Sequence, residues 1–362
     1  MQRRAQITGW GKCVPPVKLT NADLEQMVDT SDEWIFERTG MRERGISHVE
    51  VTELAEVAAQ HALAAAGLAV TDIDLLVMAT VTPEITCPSN ACFLQERIGA
   101  VNAAAFDLNA ACSGFVYSTA SVASMIEAGV AERALVIGAE KLHFVMDYHD
   151  RNHCILFGDG AGAAVFEAAT DGAGFLAHDI GADGGAGRSM VFPTFGSRGE
   201  LNRQRDPAID RLYFEGQNVF KSAVRGMAAS VERTLENAGL TADDVDLVIP
   251  HQANRRIIEA TTSRLGVPDD KVMLNIATHG NTSAASIPMA LTDALAQGRI
   301  QPGSIVVNTA FGGGLTWGTN IIRWGERTEP VRTCDAALPP TDLTVHELLA
   351  ENRAFFAPYH GK

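Results

Sequence analysis

The chain has 362 residues, 46% apolar and 20% charged, an ordinary globular composition that excludes a mostly disordered protein and allows one large domain or two moderate ones. Its 29 Lys and Arg against 44 Asp and Glu give a net charge of −15, which repels nucleic-acid phosphates and argues against a general nucleic-acid binder. No apolar run approaches the ~18 residues of a membrane-spanning helix, Met1 to Gln6 lead into mixed sequence with no signal-peptide core, and cysteines 13, 87, 92, 112, 154 and 334 form no CxxC, so a cytoplasmic chain with reduced thiols is expected.

The first periodic segment places Leu54, Val57, Ala58, Ala62 and Ala65 on one helical face. Ala66-Gly67-Leu68 follows, then the apolar strand of Asp72-Ile73-Asp74-Leu75-Leu76-Val77. Cys112-Ser113-Gly114 opens a helical stretch ending near Gly129, and Leu135-Val136-Ile137 reads as the next strand. Phe157-Gly158-Asp159-Gly160-Ala161-Gly162 is a glycine turn with a strand after it, whereas a dinucleotide fingerprint requires a helix there. Gly and Asp cluster between 170 and 185, and the stretch from Arg198 to Gly216 is charged and idiosyncratic.

The same order then recurs. Val224, Met227, Ala228, Val231 and Leu235 form a helical face, Ala238-Gly239-Leu240 follows, and Asp244-Val245-Asp246-Leu247-Val248-Ile249 is a second strand, offset from the first by 238 − 66 = 172 residues. Agreement continues with small gaps through Asn281-Thr282-Ser283, a helix ending near Gly298, and Ile305-Val306-Val307. Strands alternating with helices in two copies imply two similar α/β halves, 1–175 and 176–325, with buried parallel strands. Residues 326–362 stand outside the repeat. There Pro330, Pro339 and Pro340 mark an extended connector, Thr344 to Glu347 has capping-box spacing, and Val345, Leu348, Leu349 and Phe356 form one short amphipathic helix.

Three polar groups carry chemistry. Cys112 lies among small residues at the start of a helix, where the helix end lowers a thiol's pKa and backbone N–H groups can approach a carbonyl. His251, in Pro250-His251-Gln252-Ala253-Asn254, follows a strand directly, where ligands of parallel sheets gather. His279-Gly280-Asn281-Thr282-Ser283-Ala284 is the third, at the place in the second copy that Cys112 has in the first. Phe311 to Gly318 is a glycine turn that either aims an N–H at an oxyanion or forms a tight hairpin. No zinc motif or phosphate loop appears, so no metal and no bound nucleotide cofactor is expected. A papain-like Cys–His–Asn set is disfavoured, because no family-specific aromatic follows Cys112 and the chain is duplicated.

Taken together these motifs resemble β-ketoacyl-[acyl-carrier-protein] synthase III, of the thiolase-like superfamily, from about residue 5 to about residue 325. The resemblance is carried by Asn21 to Leu24, Val28 to Ile35, Arg38-Thr39-Gly40, Ala111 to Phe115, Leu156 to Gly162, His251 to Asn254, His279 to Ala284 and Gly312 to Gly318. It implies a five-layered αβαβα fold, a homodimer, and acyl-CoA and acyl carrier protein as partners. Cys112 would take the acyl group. His251 and Asn281 would act on a malonyl thioester, and the N–H groups of Cys112 and Gly313 would form the oxyanion hole. Trp34 and Arg151 match residues that sandwich the adenine of coenzyme A; Thr30 and Arg38 lie in the same segment, and Asn254 would line the pantetheine channel. Arg256 matches a carrier-docking arginine, with Arg255 and Lys221 nearby. Phe157, Phe311 and Cys87 are the acyl-pocket residues, Cys87 from a loop that in the family reaches into the partner's pocket.

The leading expectation is the condensing enzyme that initiates fatty-acid synthesis, or a close paralogue with a longer primer. One alternative transfers the acyl group to another acceptor in secondary metabolism. Another is a non-catalytic subunit of a heterodimeric synthase, which would be expected to have lost one of Cys112, His251 and Asn281.

Overall fold

The structure, a computed structural model, describes residues 3–169, 172–192 and 212–360. The part of the Arg198 to Gly216 stretch before residue 212 lies outside the described residues. In the first half the chain forms β1 (Arg4–Cys13), β2 (Val17–Thr20), α1 (Asn21–Glu25), α2 (Asp32–Thr39), β3 (Glu43–Ile46), α3 (Val51–Ala66), β4 (Leu75–Ala79), α4 (Asn90–Ile98), β5 (Ala104–Leu108), α5 (Gly114–Glu127), β6 (Arg133–Glu140) and β7 (Gly160–Ala169). Next come β8 (Gly174–Ala182), β9 (Met190–Val191), β10 (Tyr213–Phe214), α6 (Gly216–Ala238), β11 (Leu247–Pro250), α7 (Arg255–Leu265), α8 (Ile276–His279), α9 (Ser286–Ala296), β12 (Ile305–Gly312) and β13 (Thr316–Arg323).

Two mixed sheets, β1-β7-β6-β4-β5 and β11-β12-β13-β8, make up the framework. Helix α3 covers the outer face of the first sheet and α6 the outer face of the second, while α5 and α9 lie between them. The composition of the helices dictates this layering. α5 and α9 are apolar nearly all round and carry small residues, so they suit the middle layer, where both sides are buried. α6 buries a single stripe that includes Met227, Ala228, Val231 and Leu235. The result is the αβαβα arrangement.

The 172-residue offset survives in three dimensions. α3 and α6 each stop at a left-handed glycine, Gly67 and Gly239, where any side chain would be strained. Asp74 accepts the Arg133 N–H that opens β6, and Asp246 accepts the Ile305 N–H that opens β12 (305 − 133 = 172). Among the described residues, two non-glycine residues have positive φ, Ala111 at 49° and Ser283 at 50°, again 172 apart. The small gaps expected downstream fall between these points: α4 and α7 start 165 residues apart (255 − 90), and the offset of 172 returns by β6 and β12. One strand is reduced in the second copy: the place of β5 beside β4 is taken by a single bridge, Val248 to Val272.

The tail departs from the single helix expected. After Trp324 the chain runs across α3, where Arg327 donates to the Thr8 and Ala66 carbonyls at 2.8 Å and Val331 N–H to Ala65 at 3.0 Å. Two helices follow, α10 (Val345–Leu348) and α11 (Ala350–His360). Thr344 caps the first, in a reciprocal box with Glu347. Val345 and Leu349 are buried against Leu142, Val145, Met146 and Tyr148 of the same chain, and Phe356 is fully buried. Among the described residues, no helix is long and apolar enough to cross a membrane.

Candidate active site

The three chemical residues arrive at one place from separate loops. Cys112 lies in a single 3₁₀ turn between β5 and α5, and His251 directly follows β11, its N–H bound to the Thr309 carbonyl at 2.8 Å. Asn281 follows α8, and Leu156 and Gly158 bond its backbone on both sides at 3.0 Å. All three line a cavity of about 840 Å³ together with Phe157, Phe311 and Ser283.

Burial sets the charge states. Cys112 is only 8% exposed. Desolvation pushes its thiol up to about 12; the Ser283 hydroxyl opposes this, the Glu140 carboxylate adds to it, and the residue's own N–H opposes it. The expectation of a thiol acidified by the helix end is therefore corrected. A rise from 9.0 to about 12 corresponds to roughly 4 kcal/mol, whereas a helix terminus contributes at most about 2 kcal/mol. The resting group is a neutral thiol. His251 is pushed the opposite way by the same cause, down to about 3, so its imidazole is neutral. Its Nδ1 lies 2.7 Å from the Ser286 hydroxyl, whose oxygen accepts the Gln252 N–H at 3.4 Å. A hydroxyl that donates to Nδ1 leaves the imidazole proton on Nε2. The Asn281 side-chain oxygen accepts the Ser283 N–H at 2.9 Å. Its amide NH₂ donates to no protein group among the described residues.

The turn between β12 and β13 closes on the cysteine. A Cβ on Gly312 would come within 2.7 Å of the Cys112 nitrogen, so only glycine permits this approach. Thr316 Oγ1 donates to the Ala110 carbonyl at 3.0 Å, which ties the turn to the cysteine loop. The Gly313 N–H thus sits on a turn adjoining the Cys112 N–H, the arrangement that two donors to one oxyanion require.

At the cavity mouth the Arg38 guanidinium lies 4.4 Å from the centroid of the Trp34 ring and that of Arg151 lies 5.0 Å from it. Trp34, Arg38, Asn254, Arg256 and Lys221 line the cavity, whereas Thr30, Arg151 and Arg255 lie outside its lining. Arg151 is held by the Asp29 carbonyl at 2.7 Å, and Arg255 pairs with Glu259 at 2.6 Å. Asn254 and Arg256 donate to the Arg38 and Glu37 carbonyls, at 3.0 and 3.1 Å, and so tie α7 to α2. Cys87 is exposed and does not line the cavity of its own chain.

Sequence reasoning passed over four residues. Glu140 is fully buried and held by Thr80, Val81 and Thr82; desolvation outweighs those bonds and raises its carboxyl to about 7. Ser286 meets His251 Nδ1 at 2.7 Å. Asp159 gathers the N–H groups of Ser47, Leu142 and His143. Buried Arg44 bonds the Ile155 carbonyl on the cavity wall. Position at a strand's carboxyl end could have flagged Glu140; the other three depend on contacts across distant segments.

Two family descriptions match the chain: "3-Oxoacyl-[acyl-carrier-protein (ACP)] synthase III" over residues 106–184 and its C-terminal counterpart over residues 235–324. The chain is similar to β-ketoacyl-[acyl-carrier-protein] synthase III 2 of Vibrio cholerae, 46% identical over 348 residues and 96% of each chain. It is similar also to β-ketoacyl-[acyl-carrier-protein] synthase III of Desulfitobacterium hafniense, 47% identical over 89% of this chain and 98% of that one. Among solved structures, 3-oxoacyl-[acyl-carrier-protein] synthase III of Aquifex aeolicus superposes with a TM-score of 0.83 at 43% identity, covering 88% of this chain and 100% of its own.

Proposed function

The chain belongs to the β-ketoacyl-[acyl-carrier-protein] synthase III family, and from that premise we propose how its own residues divide the work. The protein is an acyltransferase, a condensing enzyme of fatty-acid synthesis initiation. One observation carries the residue assignment: Cys112, His251 and Asn281 share a single cavity whose mouth is lined by Trp34 and Arg38.

In the first half-reaction the Cys112 sulfur attacks the thioester carbonyl of acyl-CoA. The oxyanion is stabilised by the N–H groups of Cys112 and Gly313, and coenzyme A leaves as its thiol, carrying the proton that Cys112 gives up. In the second, malonyl-acyl carrier protein loses carbon dioxide. Its enolate oxygen takes hydrogen bonds from His251 Nε2–H and the Asn281 amide. A neutral imidazole suits this role, because it donates without first protonating the carbanion. The enolate carbon attacks the acyl-cysteine, the same oxyanion hole is used again, and Cys112 is expelled as a thiolate that takes a proton from solvent as 3-oxoacyl-acyl carrier protein forms. Covalent capture separates the two steps in time. These groups supply each step, so the reading includes no resident cofactor or metal; coenzyme A enters as substrate.

In this reading the adenine lies against Trp34, Arg38 and Arg151, with Thr30 in the same segment, and the pantetheine arm passes Asn254. The carrier protein docks on Arg256, Arg255 and Lys221. Phe157 and Phe311 wall the acyl chain. Cys87 completes the pocket of the partner in a cytoplasmic homodimer, in keeping with its exposure in the single chain. A small residue at 87 leaves room for a medium-length primer, at roughly 0.8 kcal/mol per buried methylene. The test incubates the enzyme with malonyl-acyl carrier protein and a panel of acyl-CoA primers. Mass spectrometry should find acylated Cys112 and 3-oxoacyl products, with medium chains preferred and Cys87→Phe shifting preference to short ones. Acetyl-CoA as the best wild-type primer would overturn the primer assignment, and acylation of any other residue would overturn the mechanism.

A further inference from the structure

The tail helices do not pack at random on the body. Helix α11 lies against the segment 142–155, which leads into the turn that carries Arg151, Asn152 and His153. Four polar contacts join the two. Asn352 Nδ2 donates to the His143 and Phe144 carbonyls at 3.2 and 2.9 Å. His149 Nε2 donates to the Arg353 carbonyl at 3.0 Å, and His360 Nε2 meets Asp147 Oδ2 at 2.7 Å. The His149 and His360 rings stack at 5.3 Å. Beneath them, Val345 and Leu349 fill the same apolar cluster as Val145, Tyr148 and Ile155.

Asp147 links this contact to the cavity mouth. One of its carboxylate oxygens meets the tail histidine, and the other accepts the His149 N–H at 3.0 Å. Its carbonyl accepts the Asp150 N–H at 3.0 Å, and the Asp150 carbonyl accepts the His153 and Cys154 N–H groups in turn. The turn projecting Arg151 is thus built on a carboxylate that the tail holds from behind. An exposed turn with no such backing would have to be ordered by the ligand at the moment of binding, which costs affinity.

We infer that the C-terminal helix pair is a positioning element for substrate: α11, through Asn352, Arg353 and His360, fixes the 142–155 segment so that Arg151 stands ready beside Trp34 for the nucleotide end of acyl-CoA. This rests on the reading of the mouth as the coenzyme A site. The polar contacts of α11 serve the nucleotide end: among the described residues none reaches Cys112, His251 or Asn281, although Val345 and Leu349 share an apolar cluster with Phe157 on the cavity wall.

The experiment compares two donors of the same acyl group, acyl-CoA and the acyl-pantetheine thioester, which lacks the nucleotide. Acylation of Cys112 is followed by mass spectrometry in wild type, in a variant lacking residues 343–362, in Asn352→Ala and in Arg151→Ala. Deletion of the tail and Asn352→Ala should each raise KM for acyl-CoA by about two- to fivefold, the size of one exposed cation–ring contact, and leave acylation by the pantetheine thioester unchanged. The point variant keeps the test sound should the deletion unfold the apolar cluster. Equal losses on both donors would mean a general structural defect and overturn the inference. A raised KM in Arg151→Ala with no change in Asn352→Ala would overturn it too, while leaving the coenzyme A site in place. If Arg151→Ala itself leaves KM for acyl-CoA unchanged, the reading of the mouth fails and the inference falls with it.

Discussion

Replacing Asn281 with Ala should separate the two half-reactions. The side-chain oxygen of Asn281 is committed to the Ser283 N–H at 2.9 Å, which orients the amide NH₂ for a ligand. Removal of one such preorganised donor costs about 10²–10³ in rate, or roughly 2.7–4 kcal/mol. It also strips the buried Ser283 N–H of its acceptor, at about 1–3 kcal/mol of stability, so the assay belongs well below the melting transition. Acylation needs neither the amide nor its orientation, because its oxyanion is met by backbone N–H groups. Asn281→Ala should therefore form labelled acyl-enzyme at close to the normal rate, yet release carbon dioxide from malonyl-acyl carrier protein about 10²–10³ more slowly. Cys112→Ala should show the converse, no acyl-enzyme but measurable decarboxylation. Loss of acyl-enzyme in Asn281→Ala with carbon dioxide release intact would refute the division of roles.

Further outcomes follow from burial. With a thiol pushed up to about 12, alkylation of Cys112 by iodoacetamide should rise about tenfold per pH unit between pH 7 and 9; a plateau in that range, read on the Cys112 peptide, would mean a thiolate at rest. His251 has a folded value of about 3 against 6.5 ordinarily, so the stability from keeping it neutral is complete above pH 6.5 and is lost as pH falls toward 3. Glu140, raised to about 7 from 4.5, contributes in the opposite sense: fully below pH 4.5, and lost as pH rises through 7. The two oppose each other from pH 4.5 to 6.5, and below 4.5 only the histidine still loses stability. Urea midpoints of wild type should therefore fall more steeply below pH 4.5 than those of His251→Asn, and parallel curves would contradict a buried neutral imidazole. Phe356→Ala, which empties a fully buried site, should cost about 3–5 kcal/mol, and a loss below about 1 kcal/mol would show that the tail is not docked as described.

Local chemistry explains why so much of the site was legible. Helix ends are written in neighbouring residues: glycine after Ala66 and Ala238, and the Thr344–Glu347 box, act within one turn, and the structure keeps each where it was read. Cys112 was legible from the small residues at a helix start, and His251 as a strand-end residue, because a parallel strand must deliver its ligand groups at its carboxyl end. The tail was legible only in part. Its apolar spacing announced burial, but the break at Leu349 and the surface it covers depend on residues some two hundred positions away.

What the sequence determined by itself was therefore the duplicated framework, its strand and helix order, and the identity of the chemical groups, since period, capping and repeat are properties of contiguous residues. Only the tertiary structure decided their ionisation and their support. The neutral thiol at Cys112, the neutral imidazole of His251 and the raised carboxyl of Glu140 come from desolvation, which exists only once both halves close over the cavity. The hydroxyl that meets His251 Nδ1 belongs to Ser286, thirty-five residues onward, and the segment bearing Arg151 meets Asn352 and His360, some two hundred residues onward. Burial and long-range hydrogen bonds are properties of the packed chain, and no window of sequence contains them.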